Sequence, residues 1–432
     1  MKDQLLHLYK NEVGIPPLAM VDDLVCISKC GLESVLMNAF INAKSNMKKL
    51  QFGSAKCHKM HVGSQRCYCP QLTVDNWELK VVKHLDTGET EVVDELNGQH
   101  IMETSDQEKY LGDIISNNGK NKKNIEARVA KGIGIVDQIL SILSRTVFGP
   151  FQFEVALILR SSLLLSGILT NSEAWYGLKN EDLEKLEQIN ESLLRKMLEV
   201  GSGCPKEMLY LEMGVLPIRF VVMCRRLMFL HYIINEDPES LVGRVFTAQE
   251  KTPGKNDWCL TVENDMEELG ITLTHSEIRS MTEFRFKSLV KPLIYKKALS
   301  YLNNFKLKHT KVMHIEHMEL SLQEYLRPKN VSGIQLQFLF QSRSRMLQVK
   351  ANFSQKYKNE EMGCPLKCNK RDSQEHLLEC EKINPNAINK SKEPLYRDLF
   401  SKEVEKQKEV AIILKNNLQN RKELLDKMNS SE

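Results

Sequence analysis

Three groups of residues in this sequence have types and spacing suited to chemistry. The first is Asp22–Asp23, set between the apolar runs Leu18–Val21 and Leu24–Ile27. Two apolar runs parted by two turn-capable residues predict a tight hairpin over residues 15–28, with the aspartates at its turn. Carboxylates about 4 Å apart at a protein surface repel by roughly 4 kcal/mol at an effective dielectric near 20. A divalent cation, Mg2+ or Mn2+, relieves that repulsion, and such carboxylates hold the two ions of phosphoryl transfer. Aspartate is also a favoured turn residue, so the pair alone also reads as a plain surface turn.

The second group is Cys364, Cys368, His376 and Cys380, with the spacing C-x3-C-x7-H-x3-C. Three thiolates and one imidazole complete a tetrahedral structural Zn2+ site, and a loop this small needs such a staple. Lys367, Lys370 and Arg371 place positive charge beside it, which suits nucleic acid. The plainer alternative is a few cysteines scattered through a helical tail. A looser group, Cys57, His58, His61, Cys67 and Cys69, reads as part of a strand and loop; Cys204, Cys224 and Cys259 read as core or surface thiols.

The third group is a basic run. Between Phe284 and Lys311 lie eight cations and no acidic residue: Arg285, Lys287, Lys291, Lys296, Lys297, Lys306, Lys308 and Lys311. Phe284, Phe286, Tyr295, Tyr301 and Phe305 are interleaved with them. Cations for phosphates beside flat rings for bases is the composition single-stranded nucleic acid requires. A helical pair with a solvated basic face would have the same composition.

These groups must be held by a chain of 432 residues with a formal net charge of only +4. That length allows two to four domains, and the near-neutral whole says little about partners. The opening MKDQLLHLYK is polar, so no export signal is expected. The two most apolar runs are interrupted by Arg160 and by Arg225–Arg226, short of the roughly 20 clean residues a membrane span needs. Eleven cysteines, an odd number, favour a reducing compartment. A cytoplasmic and nuclear location is the expectation, with no membrane partner.

Strands are predicted near Lys56–Val62, Lys80–His84, Glu91–Val93 and Tyr110–Ile115, with helix from about residue 124. Asn180 reads as an N-cap, followed by Leu186, Ile189, Leu193 and Met197 on one helical face and Gly201 as its end. A second apolar helix is predicted over Arg219–Ile234, a polar linker over Gln249–Asn256, and a charged helix after Ser401.

The stretch IPPLAMVDDLVCISKCG, Ile15–Gly31, resembles the Asp-Asp hairpin of reverse transcriptases, in the form found in non-LTR retrotransposons. Met20 stands where that family carries Tyr or Phe. LQFGSAKC, Leu50–Cys57, is similar to the next palm motif, and Tyr110–Leu111–Gly112 in EKYLGDIIS to the family's Tyr-Leu-Gly strand. NSEAWYG and LLRKML look like its thumb, and the Cys-Cys-His-Cys spacing resembles the knuckle downstream of the polymerase in several such elements.

The resemblance implies an α+β fold: a partial polymerase palm over 1–123, a helical thumb over 124–248 and a basic helical extension over 257–355. A zinc knuckle over 360–384 and a charged helix over 385–432 complete it. It also implies RNA-templated DNA synthesis, with Asp22 and Asp23 as Mg2+ ligands, Lys56 near the triphosphate and Tyr110–Gly112 as a primer grip. The partners would be template or element RNA and a DNA primer or target. The family's first metal-binding aspartate lies on an earlier strand, whereas Asp3 is the sole aspartate before Asp22. The expectation is therefore a partial site, no polymerisation by this chain alone, and, as the alternative, a non-catalytic nucleic-acid-binding protein.

Overall fold

The computed structural model describes residues 18–20, 23–28, 31–48, 56–62, 70–83, 90–145, 152–251, 254, 257–309, 312, 315–327, 333–383 and 396–430. It is mostly helical, 65% helix with few short strands, which is α+β at a coarse level. Two compact units divide it: Met1–Ala127 with Pro238–Arg244, and Arg128–Asp237 with Val245–Glu432.

In the first unit, β1 (Leu18–Met20) pairs antiparallel with β2 (Asp23–Val25), and Met20 stands opposite Asp23. The two strands pair and Asp23 belongs to the second of them, whereas Val21 and Asp22, the latter at the predicted turn, lie outside the described residues. α1 (Gly31–Lys48) follows, and Asn38 and Asn42 donate to the Thr73 carbonyl at 2.9 and 2.8 Å. β3 (His58–Lys59) is shorter than the expected strand and pairs in parallel with β6 (Glu103–Thr104). Between them, β4 (Thr73–Lys83) and β5 (Thr90–Ile101) make one long antiparallel ribbon that absorbs the two short strands predicted there.

β7 (Gln107–Tyr110) and β8 (Asp113–Ser116) form the last hairpin, with Tyr110 opposite Asp113. Leu111 and Gly112 connect them with φ of 47° and 88°. Two left-handed residues make the mirror-image turn whose twist matches that of the flanking strands. Tyr110–Leu111–Gly112 is thus a strand end and a turn, not a strand.

The second unit is helical. α2 (Lys122–Arg145) begins in the first unit and continues into the second, leading to α3 (Gln152–Leu159), which widens into a π-helical segment at Arg160–Leu165 before closing at Ser166–Ile168. α4 (Asn180–Leu198) buries Leu186, Ile189, Leu193 and Met197, as their spacing predicts. Its boundaries differ from expectation. Asn180 is the first helical residue, and the Asp182 carboxylate reaches back to accept the Lys179 N–H at 3.4 Å. At its other end Glu199 takes the left-handed position, with φ of 52°, ahead of Gly201.

Then come α5 (Lys206–Met213), α6 (Ile218–Asn235), α7 (Leu241–Lys251, which starts within the Pro238–Arg244 stretch of the first unit), α8 (Trp258–Leu269) and α9 (His275–Arg279). α7 continues into the predicted linker as far as Lys251. α10 (Glu283–Lys306) packs on α6, and α11 (Gly333–Arg343), α12 (Gln374–Glu379) and α13 (Val404–Asn429) complete the unit.

Two of the three arginines that interrupt the apolar runs, Arg160 and Arg226, are anchored inside. Arg160 donates to Asn190 at 2.7 Å and to the Leu216 carbonyl at 3.1 Å, and Arg226 grips the Asp265 carboxylate at 2.7 and 2.9 Å. A buried charge persists only when it is paired in this way. Glu212 of α5 is fully buried and accepts from Arg343 at 3.0 and 3.2 Å and from His317 at 3.1 Å. Burial opposes its ionised form, but the Arg343 charge and the His317 hydrogen bond outweigh that and hold the carboxyl at about 2. Next to it, Gly214 ends α5 with φ of 64°, and a Cβ there would collide with the backbone of Ser321 and Leu322. That close approach permits the bridge between Met213 and Leu322.

Candidate metal centre and nucleic-acid interface

The Cys/His quartet is assembled by a short scaffold. Cys364-Pro365-Leu366-Lys367-Cys368 folds back through a Lys367 N–H to Cys364 carbonyl bond of 3.0 Å. Lys367 and Asn369, on either side of Cys368, are both left-handed, with φ of 57° and 59°. Ser373 caps α12 by accepting the His376 N–H at 3.1 Å, which sets that helix so that His376 faces the cysteines. Cys380 follows the last turn of α12.

The result is a compact donor set. One ligand atom from each of Cys364, Cys368, His376 and Cys380 lies within 4.8 Å of all the others. Cys368 Sγ stands 3.8 Å from Cys380 Sγ and 3.0 Å from His376 Nε2. A tetrahedral ion with Zn–S of about 2.3 Å and Zn–N of about 2.05 Å has S···S edges near 3.8 Å and S···N edges near 3.6 Å. The sulfur pair already has that separation, and the imidazole needs to move by about half an ångström.

Backbone amides point at the sulfurs too: that of Leu366 at Cys364, and those of Lys382 and Ile383 at Cys380. Amide–sulfur bonds of this kind favour the thiolates that a metal requires. Without a cation burial prevails, pushing the Cys364 thiol up to about 12 and the Cys380 thiol up as well. Burial and the nearby Lys370 charge lower the His376 pKa. These residues fit a borderline-soft divalent ion such as Zn2+, which would exchange for thiol protons on binding.

The surrounding shell was not evident from spacing. Asp372 accepts the Lys350 N–H at 2.9 Å and Arg421 at 2.6 Å, and Asn417 donates to the Leu377 carbonyl at 2.8 Å. Gln374, fully buried, donates to the Ser342 carbonyl at 2.9 Å. α11, α12 and α13 are thereby joined around the quartet. The one signal in the sequence is Ser373, three residues ahead of His376, as an N-cap.

The basic run lies mainly on α10. Phe286, Val290, Ile294, Ala298, Leu302 and Lys306 are buried at every fourth position. Arg285, Lys287, Lys291 and Lys296 are exposed and form no ion pair among the described residues, while Phe284 is 80% exposed and Tyr295 41%. Phe284, Lys287, Lys291 and Tyr295 share one stripe, about 16 Å long at 1.5 Å per residue.

Two predicted contact residues have partners within the protein. Lys306 is buried and donates to the Ile315 carbonyl, because the fourth-residue file carries it inward. Lys297 lies 3.8 Å from the Glu268 carboxylate. Lys308 is exposed beside the Phe305 ring at 4.5 Å, and Lys311 lies outside the described residues.

The residues matched to the reverse-transcriptase palm motifs lie in the first unit. Asp22 lies outside the described residues, and Asp23 is placed by its backbone in β2. Lys56 is exposed, Tyr110 is half-buried, and Leu111 and Gly112 are exposed at their turn. Of the looser group, Cys57 and His61 are half-buried, His58 pairs with Glu108 at 3.1 Å, and Cys67 and Cys69 lie outside the described residues. The quartet is the single metal-type cluster among the described residues. No described helix is long and apolar enough to cross a membrane. No protein-family model matches the chain, and no curated protein or solved structure matches it.

Proposed function

We propose that this chain binds single-stranded nucleic acid and is related to the reverse transcriptases of non-LTR retrotransposons. In this reading the quartet holds a structural zinc, and the exposed face of α10 is the contact surface. The observation that carries the reading is the set of four exposed cations on α10, Arg285, Lys287, Lys291 and Lys296, without ion-pair partners among the described residues, with Phe284 and Tyr295 beside them. Phosphates take the lysines and bases stack on the rings, an arrangement tolerant of sequence. The partners are RNA and single-stranded DNA of the element. The ordered motifs from Ile15 to Leu198 support the family, and the knuckle spacing supports its non-LTR branch.

Filter binding of a labelled oligonucleotide across a salt series tests this. Lys287→Gln with Lys291→Gln is expected to weaken binding and to reduce the salt slope by about 0.7 per lost phosphate contact. Lys297→Gln, which removes a cation already facing Glu268, is expected to leave the slope unchanged. Equal slopes in all three proteins would refute the α10 surface.

RNA-directed DNA synthesis is the second reading, favoured by the hairpin that pairs Met20 with Asp23. Asp22 and Asp23 would hold Mg2+ or Mn2+, and Lys56 would approach the triphosphate. Extension of a primed RNA template, abolished by Asp22→Asn, would establish it.

A further inference from the structure

The four candidate ligands are not equally sheltered. Cys364, His376 and Cys380 are buried, whereas Cys368 is half-buried. It sits at the tip of a loop between two left-handed residues, with Lys367, Lys370 and Arg371 exposed around it. Of those cations, Lys370 leans toward Glu379 at 3.6 Å. An accessible sulfur in electropositive surroundings is the type most prone to oxidation. Its nearest sulfur neighbour with a resolved separation is Cys380, at 3.8 Å.

We infer that Cys368 and Cys380 form an oxidation-sensitive pair, in which hydrogen peroxide converts the metal-binding thiolates to a disulfide. The Cys368 thiolate attacks one peroxide oxygen, the O–O bond breaks, and hydroxide leaves a sulfenic acid on Cys368. The Cys380 thiolate then attacks that sulfur and displaces a second hydroxide, closing the S–S bond. Two electrons pass from the two sulfurs to the O–O bond, and two protons from the buffer acid turn the two hydroxides into water. Closure shortens the sulfur separation from 3.8 Å to about 2.05 Å. It removes two of the four donors, too few to retain a structural ion.

This rests on the quartet holding zinc, and the two claims separate in one experiment. The full chain is first assayed for zinc by elemental analysis. It is then treated with hydrogen peroxide beside a chromogenic chelator and digested with trypsin without reduction. Cleavage after Lys367, Lys370 and Arg371 places Cys364, Cys368 and Cys380 on different peptides, so each link is distinguishable by mass. The expected result is release of one equivalent of zinc together with a Cys368–Cys380 link, reversed by dithiothreitol and added zinc. Cys26→Ser, at an exposed thiol outside the quartet, should release zinc at the parent rate. Cys364→Ser, which keeps both partners, should still form the link. A disulfide to Cys364 instead, sulfinic acid on Cys368 without a link, or zinc retained under tenfold excess peroxide would overturn the inference. A chain purified without zinc that still forms the link would refute the metal reading alone.

Discussion

Single residues carry unequal weight here, and Glu212 carries the most. Replacing it with glutamine leaves the Arg343 guanidinium buried without a counter-charge, an error that costs about 3–5 kcal/mol. Urea unfolding of Glu212→Gln against the parent measures that loss. The pH dependence has a defined sign. The folded carboxyl titrates at about 2, below its ordinary 4.5, so its contribution is complete above 4.5 and is lost as pH falls toward 2. The difference in Tm between parent and Glu212→Gln should shrink across that window. Leu111 points the other way. A leucine held at φ of 47° is strained, and Leu111→Asn, suited to the same turn, should raise stability by about 1 kcal/mol in thermal unfolding.

Elements explain which expectations succeeded. α4 was legible because an apolar file at helical spacing is a property of the helix itself. Its ends were not, because caps depend on one backbone conformation, and Asp182 and Glu199 supplied it in place of Asn180 and Gly201. The metal quartet was legible because ligand chemistry restricts both residue type and spacing. The basic run was half legible: sequence displays charges but not their partners, so Lys297 and Lys306 looked like the exposed lysines. Arg343 and His317 left no trace, because they meet Glu212 from 131 and 105 residues away.

Helix contacts also set tolerances. A Cβ on Gly132 of α2 would lie 2.9 Å from the methyls of Ile168 and Ile189. Gly132→Val is expected to cost about 1–3 kcal/mol by overpacking, read from the urea midpoint.

At the scale of the whole molecule, the candidate metal centre is where three helices are joined. Chelation of zinc is therefore expected to increase amide hydrogen exchange over residues 364–383 and in α13 while sparing the α4–α6 core. Uniform acceleration throughout the chain would instead mean that the centre supports the entire second unit.

The bridge from Met213 to Leu322 and the pairing of Glu212 with Arg343 also order events in time. Synthesis proceeds from the N-terminus at about 5–20 residues per second, so α5 emerges several seconds or more before its partners. Throughout that interval Glu212 has neither its arginine nor its histidine, and the approach reserved by Gly214 is open. Closing contacts so distant in sequence is slow, and exposed apolar helices are prone to aggregate meanwhile. A ribosome pausing before residue 343 would hold the helical unit in an unfinished state, and chaperone dependence of its yield is the cellular consequence.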